Sequence, residues 1–281
     1  MLIVNKIEQI QKMCAQKRKE GRRIGLVPTM GALHEGHASL IRAAHSENDF
    51  VVVSVFVNPT QFAPTEDLDK YPRTLEADCA LAGEAGADVV FAPSAKDMYP
   101  KGEGVWVEVT GEITSILCGA SRPTHFRGVT TVVTKLFNIV LPDMAYFGQK
   151  DAQQAQILRR MSDDLFMPLQ IRIMPIIREK DGLALSSRNV CLSTDERKAA
   201  LCLSRSLELA KTMIGNGETN PDIIINKVKE KISKEPLANI DYAEIYSFPE
   251  LSRFEEKIKK PVFIGLAVKI GKTRLIDNIV I

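Results

Sequence analysis

Ile24-Gly25-Leu26-Val27-Pro28-Thr29-Met30-Gly31-Ala32-Leu33-His34-Glu35-Gly36-His37 is the stretch whose reading decides the fold. Ile24 to Val27 is a short apolar run that reads as a buried strand. Ala38-Ser39-Leu40-Ile41-Arg42-Ala43-Ala44, just beyond, reads as a helix. Between them lie Gly31, a second glycine at Gly36, and two histidines three residues apart where the helix begins. A helix N-terminus carries unpaired N–H groups and partial positive charge, so it attracts phosphate. Imidazoles there can donate hydrogen bonds to the same phosphate. Strand, glycine turn and His-x-Gly-His together point to nucleotide chemistry.

The neighbouring segments repeat the pattern. Val51 to Val57 is β-branched and continuous, as in a strand covered on both faces. Residues 5–20 and 74–86 read as helices, 88–91 and 105–109 as strands, and 129–140 as an apolar helix ended by Pro142. Residues 144–147 and 169–173 read as strands, with a helix over 151–163 between them. Alternation of this kind predicts an α/β fold, a parallel sheet flanked by helices. The polar segments 29–37, 58–62 and 148–151 then gather at the C-terminal ends of the strands, where open α/β sheets bind ligands. Beyond about residue 177 the pattern changes to helices at 195–214 and 221–233, then strands near 241–247, 261–269 and 273–280. The expected division is a Rossmann-like domain over 1–176 and a smaller α+β domain over 177–281, with an antiparallel sheet, closing over the site.

Composition narrows the class of function. The chain has 281 residues, 45% hydrophobic and 26% charged, enough for two globular domains. Its net charge of +2 gives no broad basic surface for nucleic acid. No apolar run reaches the length of a membrane span. The basic residues near the N-terminus follow the apolar positions, the wrong order for a secretory signal. Five scattered cysteines, odd in number and without Cys-x-x-Cys, suggest free thiols in a reducing cytoplasm.

Each candidate constellation has a plainer reading beside it. His34 and His37 lack the four-residue spacing of a zincin pair and an obvious third ligand, so metal ligation is disfavoured. They could simply cap the helix, but two histidines beside two glycines at a sheet edge favour a functional role. Gly148-Gln149-Lys150-Asp151 could place Lys150 on a phosphate and Asp151 on a ribose, or offer only a helix cap and a surface lysine. Leu185-Ser186-Ser187-Arg188 could hold polyphosphate through two hydroxyls and a guanidinium fork, or be an ordinary loop. Gln61 and Gln154 can each donate and accept, as a hydroxy acid requires, and either alone reads equally as a surface amide. Gly271-Lys272-Thr273 resembles the end of a P-loop, but the glycine spacing is wrong and a strand follows, so a hairpin turn is expected.

Taken in order, the blocks Pro28–His37, Phe56–Phe62, Tyr71–Thr74, His125–Val129, Phe147–Gln154 and Asp181–Asn189 resemble the pantothenate synthetases, the pantoate–β-alanine ligases. The resemblance implies ATP-dependent condensation of pantoate with β-alanine through pantoyl adenylate, with AMP and pyrophosphate released. It implies that Met30, Gly31, Ala32, Leu33, His34, Glu35, Gly36 and His37 wrap the ATP phosphates, His37 being the family's proton donor. Lys150 would meet the α-phosphate, and Leu185, Ser186, Ser187 and Arg188 the outer phosphates. Gly148, Gln149, Asp151 and the backbone around Ile177 would hold adenosine. Gln61 and Gln154 would bind pantoate, and Arg122 would help close the site. Mg²⁺ would ride on the phosphates with Asp78 nearby through water. A homodimer is also implied. His-x-Gly-His is similar as well to the adenylate-forming motif of class I aminoacyl-tRNA synthetases, which places the fold with the HIGH-type nucleotidyltransferases. The chain is short for a tRNA ligase and shows no anticodon-binding appendage. The competing expectations are a nucleotidyltransferase with another acceptor and a non-catalytic nucleotide-binding regulator.

Overall fold

Two strands with no exposed face organise the molecule. In the computed structural model, which describes residues 1–63, 68–102 and 104–281, β2 (Ile24–Thr29) and β3 (Phe50–Val55) pair in parallel from Ile24 opposite Phe50 to Thr29 opposite Val55. Strands β1 (Leu2–Val4), β4 (Val89–Phe91), β5 (Met144–Gly148) and β6 (Gln170–Met174) complete a six-stranded parallel sheet in the order β1-β4-β3-β2-β5-β6. Continuous apolar runs need cover on both faces. Helices α1 (Ile7–Lys19), α6 (His125–Val140) and α7 (Ala152–Asp164) supply one cover, burying Ile10, Cys14, Val133, Leu136 and Leu158 against the sheet. Helices α2 (Glu35–Glu47) and α3 (Leu75–Glu84) supply the other with Ala38, Ile41, Ala44, Cys79 and Ala82. Two short helices, α4 (Ala95–Met98) and α5 (Leu117–Ser121), lie in the connection between β4 and α6.

From β2 the chain builds β3 and β4 on one side and later β5 and β6 on the other. The order therefore reverses between β2 and β5, and a crevice opens at their C-terminal ends. The loops after both strands border it.

Helices α8 (Thr194–Ala199), α9 (Leu201–Gly215) and α10 (Pro221–Ser233) precede an antiparallel sheet of β7 (Ala238–Ser247), β8 (Val262–Ile270) and β9 (Thr273–Val280). Leu203, Leu207, Ile224 and Val228 pack there against Ile264, Leu266 and Val268. A buried apolar cluster joins the two sheet systems, with Ile116, Leu117, Phe126 and Ile157 meeting Tyr246, Leu251 and Phe263.

The structure differs from the sequence expectations at three places. Residues 105–109 form no strand. The hydroxyls of Thr130 and Thr131 on α6 take up the backbone of Val107 instead, at 2.5 Å to its carbonyl and 3.0 Å from its N–H. The helix expected over 195–214 is divided at Ala200 into α8 and α9. Strand β1 has no counterpart among the expected elements, because its three residues leave Leu2 and Ile3 exposed and show no alternation. Gly271 and Lys272 form the turn between β8 and β9, with Gly271 at φ +56°, so the P-loop likeness is a hairpin. All five cysteines are free thiols. Among the described residues no helix is long and apolar enough to cross a membrane.

Candidate active site

A buried carboxylate shapes the loop after β2. The Thr29 hydroxyl donates to the Ser54 carbonyl at 2.7 Å and accepts from the Gly31 N–H at 3.2 Å. Gly31 and Ala32 then take positive φ values of 86° and 51°. That turn aims successive amides at Asp78, whose oxygens accept from Ala32 N–H at 3.1 Å and Leu33 N–H at 2.8 Å. Thr74 adds its hydroxyl at 3.1 Å. Asp78 is only 2% exposed, so it lies behind the loop rather than on the cleft wall. With its oxygens engaged by three donors it does not fit a direct metal ligand. Among the described residues, no three His, Cys, Asp or Glu side chains are grouped to hold a metal ion.

The loop delivers His34 to the N-cap of α2. His34 Nδ1 accepts from the Gly36 N–H at 3.1 Å, and His37 Nδ1 accepts from the His34 N–H at 3.3 Å. This is a capping box built from two imidazoles. Since each Nδ1 accepts, the proton of each neutral ring sits on Nε2. Burial pushes His34 down to about 4, reinforced by the charge of Lys150. Burial pushes His37 down to about 3, reinforced by His34 and then Lys150. At neutral pH both rings are therefore uncharged, each with an Nε2–H donor. The capping and functional readings coexist, because the cap uses one nitrogen and leaves the other. Gly36 is required by contact: a Cβ there would lie 2.8 Å from His34 Cε1 and 2.9 Å from Nδ1.

Across the crevice, the loop after β5 presents Lys150 and Asp151. Lys150 Nζ lies 3.6 Å from Asp151 Oδ2. Asp151 occupies the N-cap position of α7 but makes no capping bond, so its carboxylate is not committed to the helix. The third wall is the segment around Leu185, whose N–H bonds to the Ile177 carbonyl at 3.0 Å. Ser186 accepts from the Arg188 N–H at 3.2 Å, and Asn189 anchors the turn on the Ala184 carbonyl at 3.1 Å.

Gln61 is nearly buried. Its Oε1 accepts from Asn58 Nδ2 at 3.1 Å, and its Nε2 lies 3.0 Å from Met30 Sδ. Its backbone carbonyl accepts from His125 Nδ1 at 2.9 Å and Arg122 Nη2 at 3.3 Å. Gly128 lets α6 approach this turn, since a Cβ would fall 2.3 Å from the Thr60 carbonyl oxygen.

The resulting cleft, about 220 Å³, brings together Met30, His34, Gly36, His37, Gln61, Gly148, Lys150, Asp151, Gln154, Ile177, Leu185, Ser186, Ser187 and Arg188. Gly31, Ala32, Leu33, Glu35, Gln149 and Asp78 are not on its wall. Ala32 and Leu33 spend their amides on Asp78, and Glu35 pairs outward with Arg42. Arg122 lines an adjoining cavity of about 320 Å³ that reaches the second sheet and shares Lys150, Asp151, Gln154, Ser186 and Arg188 with the cleft. Sequence reading missed the apolar wall formed by Val129, Val132, Val133 and Leu136 on α6. In sequence those residues are indistinguishable from core. Asn58 was missed too, although its place in the Phe56–Phe62 block beside Gln61 was a usable signal.

A parallel sheet whose switch point carries a histidine pair, a lysine and a Ser-Ser-Arg turn defines an α/β protein of the nucleotide-handling class. The family model described as pantoate-beta-alanine ligase matches residues 2–280. The chain belongs to this family of carbon–nitrogen ligases. It is 55% identical over its full length to the pantothenate synthetase of Pelotomaculum thermopropionicum, covering 99% of that protein. Identity to the pantothenate synthetase of Acetivibrio thermocellus is 53%, with coverage of 100% and 99%. The crystal structure of the Thermus thermophilus pantothenate synthetase superposes with a TM-score of 0.94 at 42% identity, covering 99% of both chains. The pantoate-beta-alanine ligase of Francisella tularensis, solved with a β,γ-ATP compound and β-alanine, superposes with a TM-score of 0.81 at 38% identity, covering 100% of this chain and 97% of that one.

Proposed function

We propose that this chain joins pantoate to β-alanine through a pantoyl adenylate, using Mg-ATP as substrate and releasing AMP and pyrophosphate. In the first step a pantoate carboxylate oxygen bonds to the α-phosphorus as the bond to the β-phosphate oxygen breaks. In the second the amine of β-alanine attacks the acyl carbon, AMP leaves with the bonding pair, and the nitrogen gives up a proton to form the amide. Neither step requires a protein nucleophile. Both require alignment and stabilisation of phosphate charge.

The observation that carries this reading is the pair of imidazoles at the α2 N-terminus, each with its Nδ1 engaged by a backbone N–H, lining one cleft with Lys150. His34 and His37 donate to phosphate oxygens, helped by the helix dipole. Lys150 neutralises charge on the α-phosphate, and Ser186, Ser187 and Arg188 hold the outer phosphates. Asp151 accepts from a ribose hydroxyl, with the Ile177 backbone against the nucleoside. Gln61 and Gln154 bond the hydroxyls and carboxylate of pantoate. Its dimethyl carbon suits the apolar wall from Val129 to Leu136. The segment 177–281 acts as a second domain over the cleft. The chain works as a homodimer in the cytoplasm.

The test omits pantoate and β-alanine in turn. Pyrophosphate release should require pantoate alone, and AMP release should require both acids. ATP turnover indifferent to either acid would defeat the reading.

A further inference from the structure

Strand β9 reaches back from the second sheet to the crevice and ends its reach on two adjacent buried residues, Asp277 and Asn278. Asp277 forms a two-pronged ion pair with Arg178, at 2.7 and 2.9 Å. Arg178 directly follows Ile177 of the cleft wall. Asn278, 3% exposed, turns to the opposite wall. Its Nδ2 donates to the backbone carbonyls of both Gln149 and Lys150, each at 2.9 Å. Its Oδ1 accepts from Gln149 Nε2 at 3.4 Å, and its own N–H is held by Asp277 Oδ1 at 2.8 Å. One dipeptide thus grips both walls. The usual local brace is missing, since Asp151 makes no capping bond at the start of α7.

We propose that Asn278 is a positioning residue for Lys150. Its amide fixes the peptide from which the lysine stem springs and so sets where the ammonium stands against the transferring phosphate. A lysine ammonium is a point charge on a flexible stem, so the direction of its base matters. A tilt of about 10° at the base of a stem about 6 Å long moves the ammonium by about 1 Å. A misplacement of about 1 Å can cost about 10²-fold in rate. The inference rests on the role given to Lys150 above.

A double-mutant cycle on pyrophosphate release tests it. Asn278→Ala should lower kcat about 10- to 10²-fold and leave the KM for pantoate nearly unchanged. Asn278→Asp keeps the shape but turns an acceptor toward both carbonyls, so it should lose at least as much as Asn278→Ala. In a Lys150→Ala background, Asn278→Ala should cost less than about twofold, because the group it positions is gone. A generally weakened fold would instead cost as much with or without Lys150. Full kcat in Asn278→Ala, full kcat in Asn278→Asp, or a loss that persists in the Lys150→Ala background would each overturn the proposal. A wild-type chain that releases no pyrophosphate would fail the reaction itself. Amide exchange at residues 148–152 would still judge Asn278: faster exchange in Asn278→Ala is expected, and unchanged exchange overturns its positioning role.

Discussion

Gly36→Ala isolates the geometry of one imidazole with a single methyl group. Gly36 has an ordinary backbone conformation within α2, so alanine is tolerated by the chain itself and helix propensity even favours it, by up to about 1 kcal/mol. The obstacle is His34. The new Cβ would stand 2.8 Å from Cε1 and 2.9 Å from Nδ1, whereas ordinary contact begins at 3.4 Å, so ring and methyl must separate by about 0.5–0.6 Å. The ring cannot swing freely, because Nδ1 is tied to the amide of the substituted residue. Displacement by half an ångström is about the tolerance of a catalytic constellation, and about 1 Å costs about 10²-fold. We therefore expect kcat for pyrophosphate release to fall about tenfold, with the melting temperature within a few degrees of wild type. Steady-state release with Mg-ATP, pantoate and β-alanine, alongside calorimetry, measures both. Adding Gly36→Ala to His34→Ala should then cost nothing further. Wild-type kcat in Gly36→Ala, or a tenfold loss that survives removal of His34, would refute the steric argument.

The remaining predictions concern substrate, loop and pH. Gln154→Ala should raise the KM for pantoate several-fold with little change for ATP; an unchanged value would move the acid elsewhere in the cleft. Asp78→Asn would turn an amide donor toward the N–H groups of the Ala32–Leu33 turn and should destabilise the fold by about 2–3 kcal/mol. Its Mg²⁺ requirement should not move, whereas a raised requirement at an unchanged melting temperature would assign Asp78 to the metal. His34 and His37 are pushed from 6.5 down to about 4 and about 3, so between those values and 6.5 the unfolded chain binds protons that the folded chain refuses. Stability of the ligand-free protein should thus be complete above about pH 7 and decline as pH falls toward 4. Calorimetry from pH 4 to 8 should show that slope flattened in a His34→Gln, His37→Gln double variant, and an equal slope would disprove the linkage.

How much of this was legible depends on how local each cause is. Ile24–Thr29 and Phe50–Val55 are too apolar for any place but the middle of a covered sheet, so their chemistry alone announces the fold. Residues 105–109 alternate like a strand, yet Thr130 and Thr131 take up the backbone of Val107 at their centre, a partnership across some twenty residues that no local pattern reveals. Asp78 is the sharper case. Its position on α3 gives no hint that its carboxylate ends on the amides of Ala32 and Leu33, where it braces the loop.

By itself the sequence determined the central strands, the His-x-Gly-His at a helix start, the glycine turns and the family, because each is legible in short runs of neighbouring residues. Only the tertiary structure decided which nitrogen of each histidine is engaged, since that depends on where the Gly36 and His34 amides point. It alone decided that α6 gives the cleft its apolar wall, and that β9 grips the Lys150 backbone from a strand 128 residues away in the chain. Contacts of that range arise when separate hydrophobic cores pack together, and packing selects partners by shape and burial rather than by order in the chain.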